Sequence, residues 1–226
     1  MSPPHVDAGI ITEVTQRQIR MCFVGDSFVA GVGDPAHLGW VGRLTARAET
    51  RGVTVTGYNL GIRRNTSSDV RARWQHEVRL RFPDGLDNRL VLSFGVNDCT
   101  ARSSGTRTES GISSANLDAI LTEARRAGWP VLVVGPAPIA DTDQNDRIRA
   151  LNDRFTAVCT QHAVTYVDTF AELIEEPSWA AEVNAGDGSH PSTAGYERLT
   201  EIIYGLWWAW LTDEALSRVG RAARRG

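Results

Sequence analysis

Two short motifs near opposite ends of the chain carry residue types that perform nucleophilic chemistry. Gly25-Asp26-Ser27 closes an apolar run near the start, and Asp187-Gly188-Ser189-His190-Pro191 lies far downstream. A serine, a histidine and an aspartate are the parts of a nucleophilic hydrolase. The alcohol attacks, the imidazole takes its proton, and the carboxylate orients the imidazole. An alcohol alone is too weakly acidic to attack. An imidazole, with an ordinary pKa of about 6.5, suits base work at neutral pH. Asp187 stands three positions before His190, so one turn of chain presents both side chains. Ser27, His190 and Asp187 are therefore the expected catalytic set, with Ser27 brought to the other two by the fold.

Attack on an ester creates an oxyanion, which needs fixed donors. The Ser27 backbone N–H, the Gly61 backbone N–H and the Asn97 side-chain amide are the expected three. Glycine at 61 fits that role because a side chain would obstruct the substrate's approach to the backbone. Asp98 reads as a hydrogen-bonding neighbour rather than a catalyst. Trp40 and Trp179 stand near the first and fifth loops and are candidate pocket walls.

These residues need elements to hold them. Five short apolar runs rich in Val, Ile and Leu read as strands covered on both faces: Ile19–Val24, Val53–Leu60, Arg89–Phe94, Pro130–Val134 and Val164–Val167. Between and after them, apolar residues recur at helical spacing in Trp40–Arg51, Val70–Phe82, Ser114–Ala127, Asp143–His162 and Ser192–Leu211. Alternating strands and helices predict a parallel sheet with helices on both faces. In such a sheet, ligands bind beyond the carboxyl ends of the strands. Ser27, Gly61, Asn97 and the Asp187–His190 pair all follow strand ends, so distant loops are expected to converge on one rim. Thr100–Ser114 reads as a mobile surface loop, and Glu172–Gly186 as a second irregular stretch. Ser192 or Thr193 is a plausible N-cap for the last helix.

Gly25-Asp26-Ser27-Phe28, Gly61, Gly95-Val96-Asn97-Asp98 and Asp187-Gly188-Ser189-His190 together resemble the four sequence blocks of the SGNH hydrolases, also called the GDSL esterase/lipase family. The resemblance spans roughly Ile19 to Leu211. It implies a three-layer αβα sandwich, flavodoxin-like, with a five-stranded parallel sheet of order 2-1-3-4-5. It also implies a metal-free Ser-His-Asp mechanism through an acyl-enzyme, with the roles of Ser27, Gly61, Asn97, His190 and Asp187 carried over at matching positions. Phe28 stands where the family often has Leu and keeps the position apolar. Arg63 and Arg64 follow Gly61 where relatives often carry small residues. They either crowd the pocket or hold an anionic or sugar-like substrate.

Bulk properties bound the reading. A chain of 226 residues with 42% apolar and 23% charged residues fits one domain with a full core. The expected division is an N-terminal extension over 1–18, a hydrolase domain over 19–212 and a C-terminal tail over 213–226. The net charge of −3 gives no global basic field for nucleic acid. The Arg218, Arg221, Arg224 and Arg225 cluster reads as a solvated tail. Cys22, Cys99 and Cys159 lack ligand or disulfide spacing, so no metal and no cofactor are expected. Cys99 lacks a histidine partner and is not a rival nucleophile. His5, His37, His76 and His162 read as surface or packing residues, and Trp207, Trp208 and Trp210 as core or a partner surface. Gly31-Val32-Gly33-Asp34-Pro35-Ala36 imitates a dinucleotide fingerprint but starts too far past the strand and contains proline. The first twenty residues lack an apolar signal core, and no membrane-spanning run appears, so a cytoplasmic protein is expected. The reading is a serine hydrolase acting on a small or medium ester. A thioesterase, an acyltransferase using the same site, and a non-catalytic binding module of the same fold are the alternatives.

Overall fold

The computed structural model describes residues 18–213. The two expected flanking segments, apart from Gln18 and Asp213, lie outside the described residues, and with them His5 and the C-terminal arginines. The strands are β1 (Ile19–Gly25), β2 (Val55–Gly61), β3 (Asp87–Ser93), β4 (Val131–Val134) and β5 (Thr165–Val167). The helices are α1 (Ser27–Ala30), α2 (Gly39–Thr50), α3 (Ser67–Arg79), α4 (Ser110–Arg126), α5 (Thr142–His162), α6 (Thr169–Leu173), α7 (Pro177–Ala185) and α8 (Thr193–Thr212). All strands run parallel in the order β2-β1-β3-β4-β5. Helices α3, α4 and α5 pack side by side, as do α2 and α8, giving a layer on each side of the sheet.

Burial explains the sheet order. Every residue of β3 is buried, as a strand flanked by neighbours and covered by helices must be, while β2 at the edge is mostly half-exposed. Large aromatics fill the two helix–sheet interfaces. Trp40 of α2 meets Phe23 edge-on at 5.6 Å, and Trp74 of α3 meets Trp129 edge-on at 6.3 Å. Trp207 is fully buried and Trp210 nearly so, while Trp208 lies half-buried beside Tyr204. The core reading of that tryptophan cluster fits their placement.

Two expected loops differ. Glu172–Gly186 is helical over most of its length, because Pro177 occupies the first turn of α7, where its missing N–H costs nothing. Thr100–Ser114 is a closed turn rather than an open loop. Ala101 bridges Thr106, the Arg107 N–H bonds the Thr100 carbonyl at 2.9 Å, and α4 already starts at Ser110. Helix α3 starts three residues earlier than its apolar spacing indicates. Thr66 and Asp69 form a reciprocal capping box there, and each satisfies an N–H of the other.

Candidate active site

Strand β1 ends at Gly25, and Asp26 caps the short helix α1 by accepting the Phe28 N–H at 3.0 Å. This turn lifts Ser27 off the carboxyl end of the sheet. At the other end of the chain, the Asp187 carboxylate accepts the backbone N–H groups of Ser189 and His190 at 3.0 and 2.9 Å. Its Oδ2 also meets His190 Nδ1 at 2.8 Å. The remaining ring nitrogen, Nε2, lies 2.7 Å from Ser27 Oγ. A carboxylate only accepts, so Nδ1 carries the proton and Nε2 is left to accept from the serine hydroxyl. Ser27 and His190 are buried at 4% and 8% exposure, whereas the Asp187 side chain is 43% exposed.

Charge follows this geometry. Partial burial raises the Asp187 carboxyl, but the His190 N–H, the His190 ring and the Ser189 N–H outweigh it and hold the group at about 2. Asp187 is thus a fixed anion beside the imidazole, suited to stabilising an imidazolium. Arg63 lies against the same Oδ2 at 3.2 Å and is largely exposed. Burial pushes the Cys99 thiol up to about 12, which leaves it inert.

The oxyanion donors divide. The Ser27 N–H has no acceptor among the described residues and sits at the start of α1. Asn97 Nδ2 lies 3.1 Å from the Asn65 carbonyl and 3.5 Å from Asp26 Oδ2, so its amide stands beside the Ser27 turn. Gly61 does not fit the expected role. Successive N–H groups of a strand point to opposite sides. The Ile62 N–H bonds the Gly25 carbonyl on β1, so the Gly61 N–H points out of the sheet edge. There Asn59 Oδ1 takes it at 3.0 Å, while Asn59 Nδ2 is anchored on the Val29 carbonyl at 2.7 Å. Glycine is needed at 61 for packing instead, since a Cβ would come within 2.2 Å of the Ala30 nitrogen.

Three residues on, Arg64 adopts a left-handed backbone with φ of 70°. Its carbonyl accepts Arg107 Nη2 at 2.7 Å, and its N–H has no acceptor among the described residues. The 62–65 turn is fixed at Gly25 by the Ile62 N–H and at Asn97 by the Asn65 carbonyl, so it lies along the mouth. Sequence reasoning placed Arg64 only as a pocket residue. Its backbone conformation is a three-dimensional signal that residue type hides, because arginine is not a residue expected at positive φ.

The expected walls also divide. Trp40 is fully buried in the core and borders the small closed space behind Phe28 rather than an open cleft. Trp179 is 2% exposed, donates Nε1–H to the Pro138 carbonyl at 3.0 Å and stacks on Phe28 at 6.3 Å. Phe28 in turn meets the His190 ring at 5.1 Å. The two aromatics therefore support the imidazole from behind. The space lined by Asp26, Phe28, Trp40, Val96, Pro136 and Ala137 is only about 10 Å³, room for one water at most. A cavity of about 530 Å³ lies elsewhere, at the start of β4 and β5 among Trp129, Trp210, His162 and Arg125, away from Ser27.

Asp98, expected as a hydrogen-bonding neighbour, and several residues that reading the chain passed over hold this arrangement. Asp98 accepts the Ser67 N–H at 2.9 Å and the Ser113 hydroxyl at 2.6 Å, tying the Asn97 turn to α3 and α4. Arg73 reaches the carbonyls of Gly25 and Leu60 at 2.7 and 3.0 Å. Ser192 forms no side-chain cap. Glu182 of α7 caps α8 instead, accepting the N–H groups of Ser192, Ala194 and Gly195 at 2.9, 3.2 and 2.6 Å. The false dinucleotide fingerprint also has a structural use. Gly33, at φ of 93°, packs where a Cβ would come 2.6 Å from the Pro191 carbonyl and 3.0 Å from His190 Cβ.

Among the described residues, no group of His, Cys, Asp and Glu is arranged to hold a metal ion, and no helix is long and apolar enough to cross a membrane. The sequence model of the GDSL-like Lipase/Acylhydrolase family matches residues 23–198. None of the curated proteins matches the sequence. Among solved structures, the lipase/acylhydrolase from Enterococcus faecalis is 26% identical with a TM-score of 0.68, over 83% of this chain and 93% of that one. TesA is also 26% identical, with a TM-score of 0.69 over 87% of this chain and 99% of its own. Axe2, an acetylxylan esterase from Geobacillus stearothermophilus, shares the fold at 20% identity and a TM-score of 0.69, over 86% and 94% of the two chains.

Proposed function

The chain belongs to the GDSL-like lipase/acylhydrolase family of carboxylic ester hydrolases, and from that premise we propose that it cleaves short-chain esters through an acyl-enzyme on Ser27. The observation that carries this reading is the continuous line from Ser27 Oγ through the His190 ring to Asp187, at 2.7 and 2.8 Å. In the proposed first step, His190 Nε2 takes the Ser27 proton as Oγ attacks the ester carbon. The tetrahedral oxyanion is held by the Ser27 N–H and the Asn97 amide, with the Arg64 N–H as third donor in place of Gly61. His190 then gives its proton to the departing alcohol. Water, deprotonated by the same ring, attacks the acyl-enzyme, releases the acid and returns the proton to Ser27.

Two observations support the finer terms. The filled floor behind Phe28 leaves little depth beneath Ser27, which favours a short acyl group such as acetyl. The half-open side chain of Asp187 gives solvent a route to the triad, which favours water over another alcohol as acyl acceptor. The domain that performs this is assigned to residues 19–212.

The test is a p-nitrophenyl ester series with labelling by a fluorophosphonate. Turnover should fall from acetate to longer acyl chains, and Ser27→Ala should lose both turnover and labelling while melting cooperatively. A Ser27→Ala variant that still turns over or still labels at full rate would refute the assignment.

A further inference from the structure

Building on the serine-hydrolase reading above, we propose that Arg107 is the positioning residue of the oxyanion site, yoking the Asn97 amide and the Arg64 backbone with one guanidinium. The two donors come from different loops, one after β3 and the other after β2. Arg107 spans them, with Nη1 3.4 Å from Asn97 Oδ1 and Nη2 2.7 Å from the Arg64 carbonyl.

The chemistry of the groups makes this contact directional. A carboxamide has two ends of nearly equal shape, and only its nitrogen can donate to an oxyanion. A guanidinium only donates, so the end facing Arg107 must be oxygen. The opposite end faces the Asn65 carbonyl, which only accepts, so it must be nitrogen. Arg107 therefore selects the amide orientation that turns Nδ2 toward the Ser27 turn. At Arg64 the same side chain holds the carbonyl of a residue whose left-handed backbone disfavours any side chain. Releasing that carbonyl would let residues 63–65 relax and carry the Arg64 N–H away.

The guanidinium is itself held in place. The Arg107 N–H bonds the Thr100 carbonyl at 2.9 Å, and the Thr108 N–H bonds the Asp98 carbonyl at 3.2 Å. Its starting point is thus fixed to the turn that carries Asn97. Asp69 is the facing anion. Burial raises its carboxyl, but the Thr66 N–H and hydroxyl, with the Arg107 and Arg73 charges, hold it below its usual range. A cation at 107 is therefore balanced by a neighbouring anion.

The experiment compares Arg107→Ala and Arg107→Lys in the wild-type and Asn97→Ala backgrounds, with p-nitrophenyl acetate as substrate and thermal melting as the check on folding. Arg107→Ala should lower kcat about 10- to 100-fold, with KM changed less than about twofold. In the Asn97→Ala background the same change should cost several-fold less than in wild type, because one of the two donors it positions is already gone and only the Arg64 N–H remains to be displaced. Arg107→Lys keeps the charge but not the fork, so it should lie between. Guanidinium at about 20 mM, well below denaturing levels, should restore part of the kcat of Arg107→Ala and none of that of Asn97→Ala. Equal losses in both backgrounds, an effect confined to KM, or an unchanged kcat would overturn the proposal. If Arg107→Ala does not fold, Arg107→Lys decides: a wild-type kcat in a stably folded lysine variant overturns it. Wild-type protein that neither turns over the ester nor labels at Ser27 would instead refute the serine-hydrolase reading.

Discussion

Replacing Glu182 by alanine removes the cap of α8 without touching the triad. The Glu182 carboxylate accepts three N–H groups at the start of that helix, at 2.9, 3.2 and 2.6 Å, and Ser192 supplies no side-chain substitute. A lost cap costs about 0.5–2 kcal/mol. A lost carboxylate at the positive end of a helix costs about 0.3–1 kcal/mol more. Together these give about 2 kcal/mol, which for a domain of this size lowers Tm by about 4–8 °C. Glu182→Gln keeps an acceptor but loses the charge, so it should fall about midway. The same change should reach the chemistry. The Asp187–His190 turn hangs between α7 and α8, with the Gly186 and Gly188 N–H groups bonded to the Glu182 and Val183 carbonyls at 3.2 and 3.1 Å. Loosening one anchor should lower kcat on the order of tenfold, since catalysis is sensitive to displacements well under 1 Å. Differential scanning calorimetry and ester kinetics read the two effects. A Glu182→Ala protein melting within about 1 °C of wild type would refute the capping account, and a normal kcat despite a lowered Tm would refute its link to His190.

Three further outcomes are expected. Arg43→Met should destabilise by about 2–3 kcal/mol in urea unfolding, because it removes the cation paired with the buried Asp34 carboxylate and leaves the Ala36, Leu38 and Gly39 N–H groups to hold it; a loss under about 1 kcal/mol would contradict this. Acid should undo the same pair. Burial alone would raise the Asp34 carboxyl, but Arg43 and the Gly39 and Ala36 N–H groups hold it at about 2 against 3.8 when free. A lowered pKa stabilises above about 4 and fades as pH falls through 2. The contribution is about 2 kcal/mol, so the stability gap between wild type and Asp34→Asn should shrink by about that much between pH 5 and pH 2. Gly33→Ala should reduce both Tm and kcat, because it forces a side chain into positive φ and against His190; wild-type kcat in that variant would show the contact to be slack.

Much of this was legible before the fold. Buried parallel strands read as unbroken apolar runs, and β1, β3 and β4 stand where those runs lie. Ser27, Asp187 and His190 were marked by residue type and by the closeness of the last two. The strand order was not readable from pattern and came with the family resemblance. Gly61 misled because its usefulness depends on which way an N–H points, a matter of strand parity and of the neighbour Asn59. Arg107 was invisible inside a Gly-, Ser- and Thr-rich stretch, since its partners lie ten and forty-three residues away. Helix α7 was hidden by Pro177, which ends a helix in one position and begins one in another. Trp40 was legible only in part: it borders the small space behind Phe28, but nearness to a loop in sequence does not tell that its face of α2 turns into the core.

The span of 163 residues between Ser27 and His190 has a consequence for how the protein comes into being. Ser27 leaves the ribosome 163 residues ahead of His190. Over that stretch of translation, the growing polypeptide carries a serine without the base proposed to deprotonate it. On the proposed mechanism, ester cleavage awaits the docking of α8 beside α2. Fragments cut short before His190 lack the base and, on that mechanism, do not cleave esters.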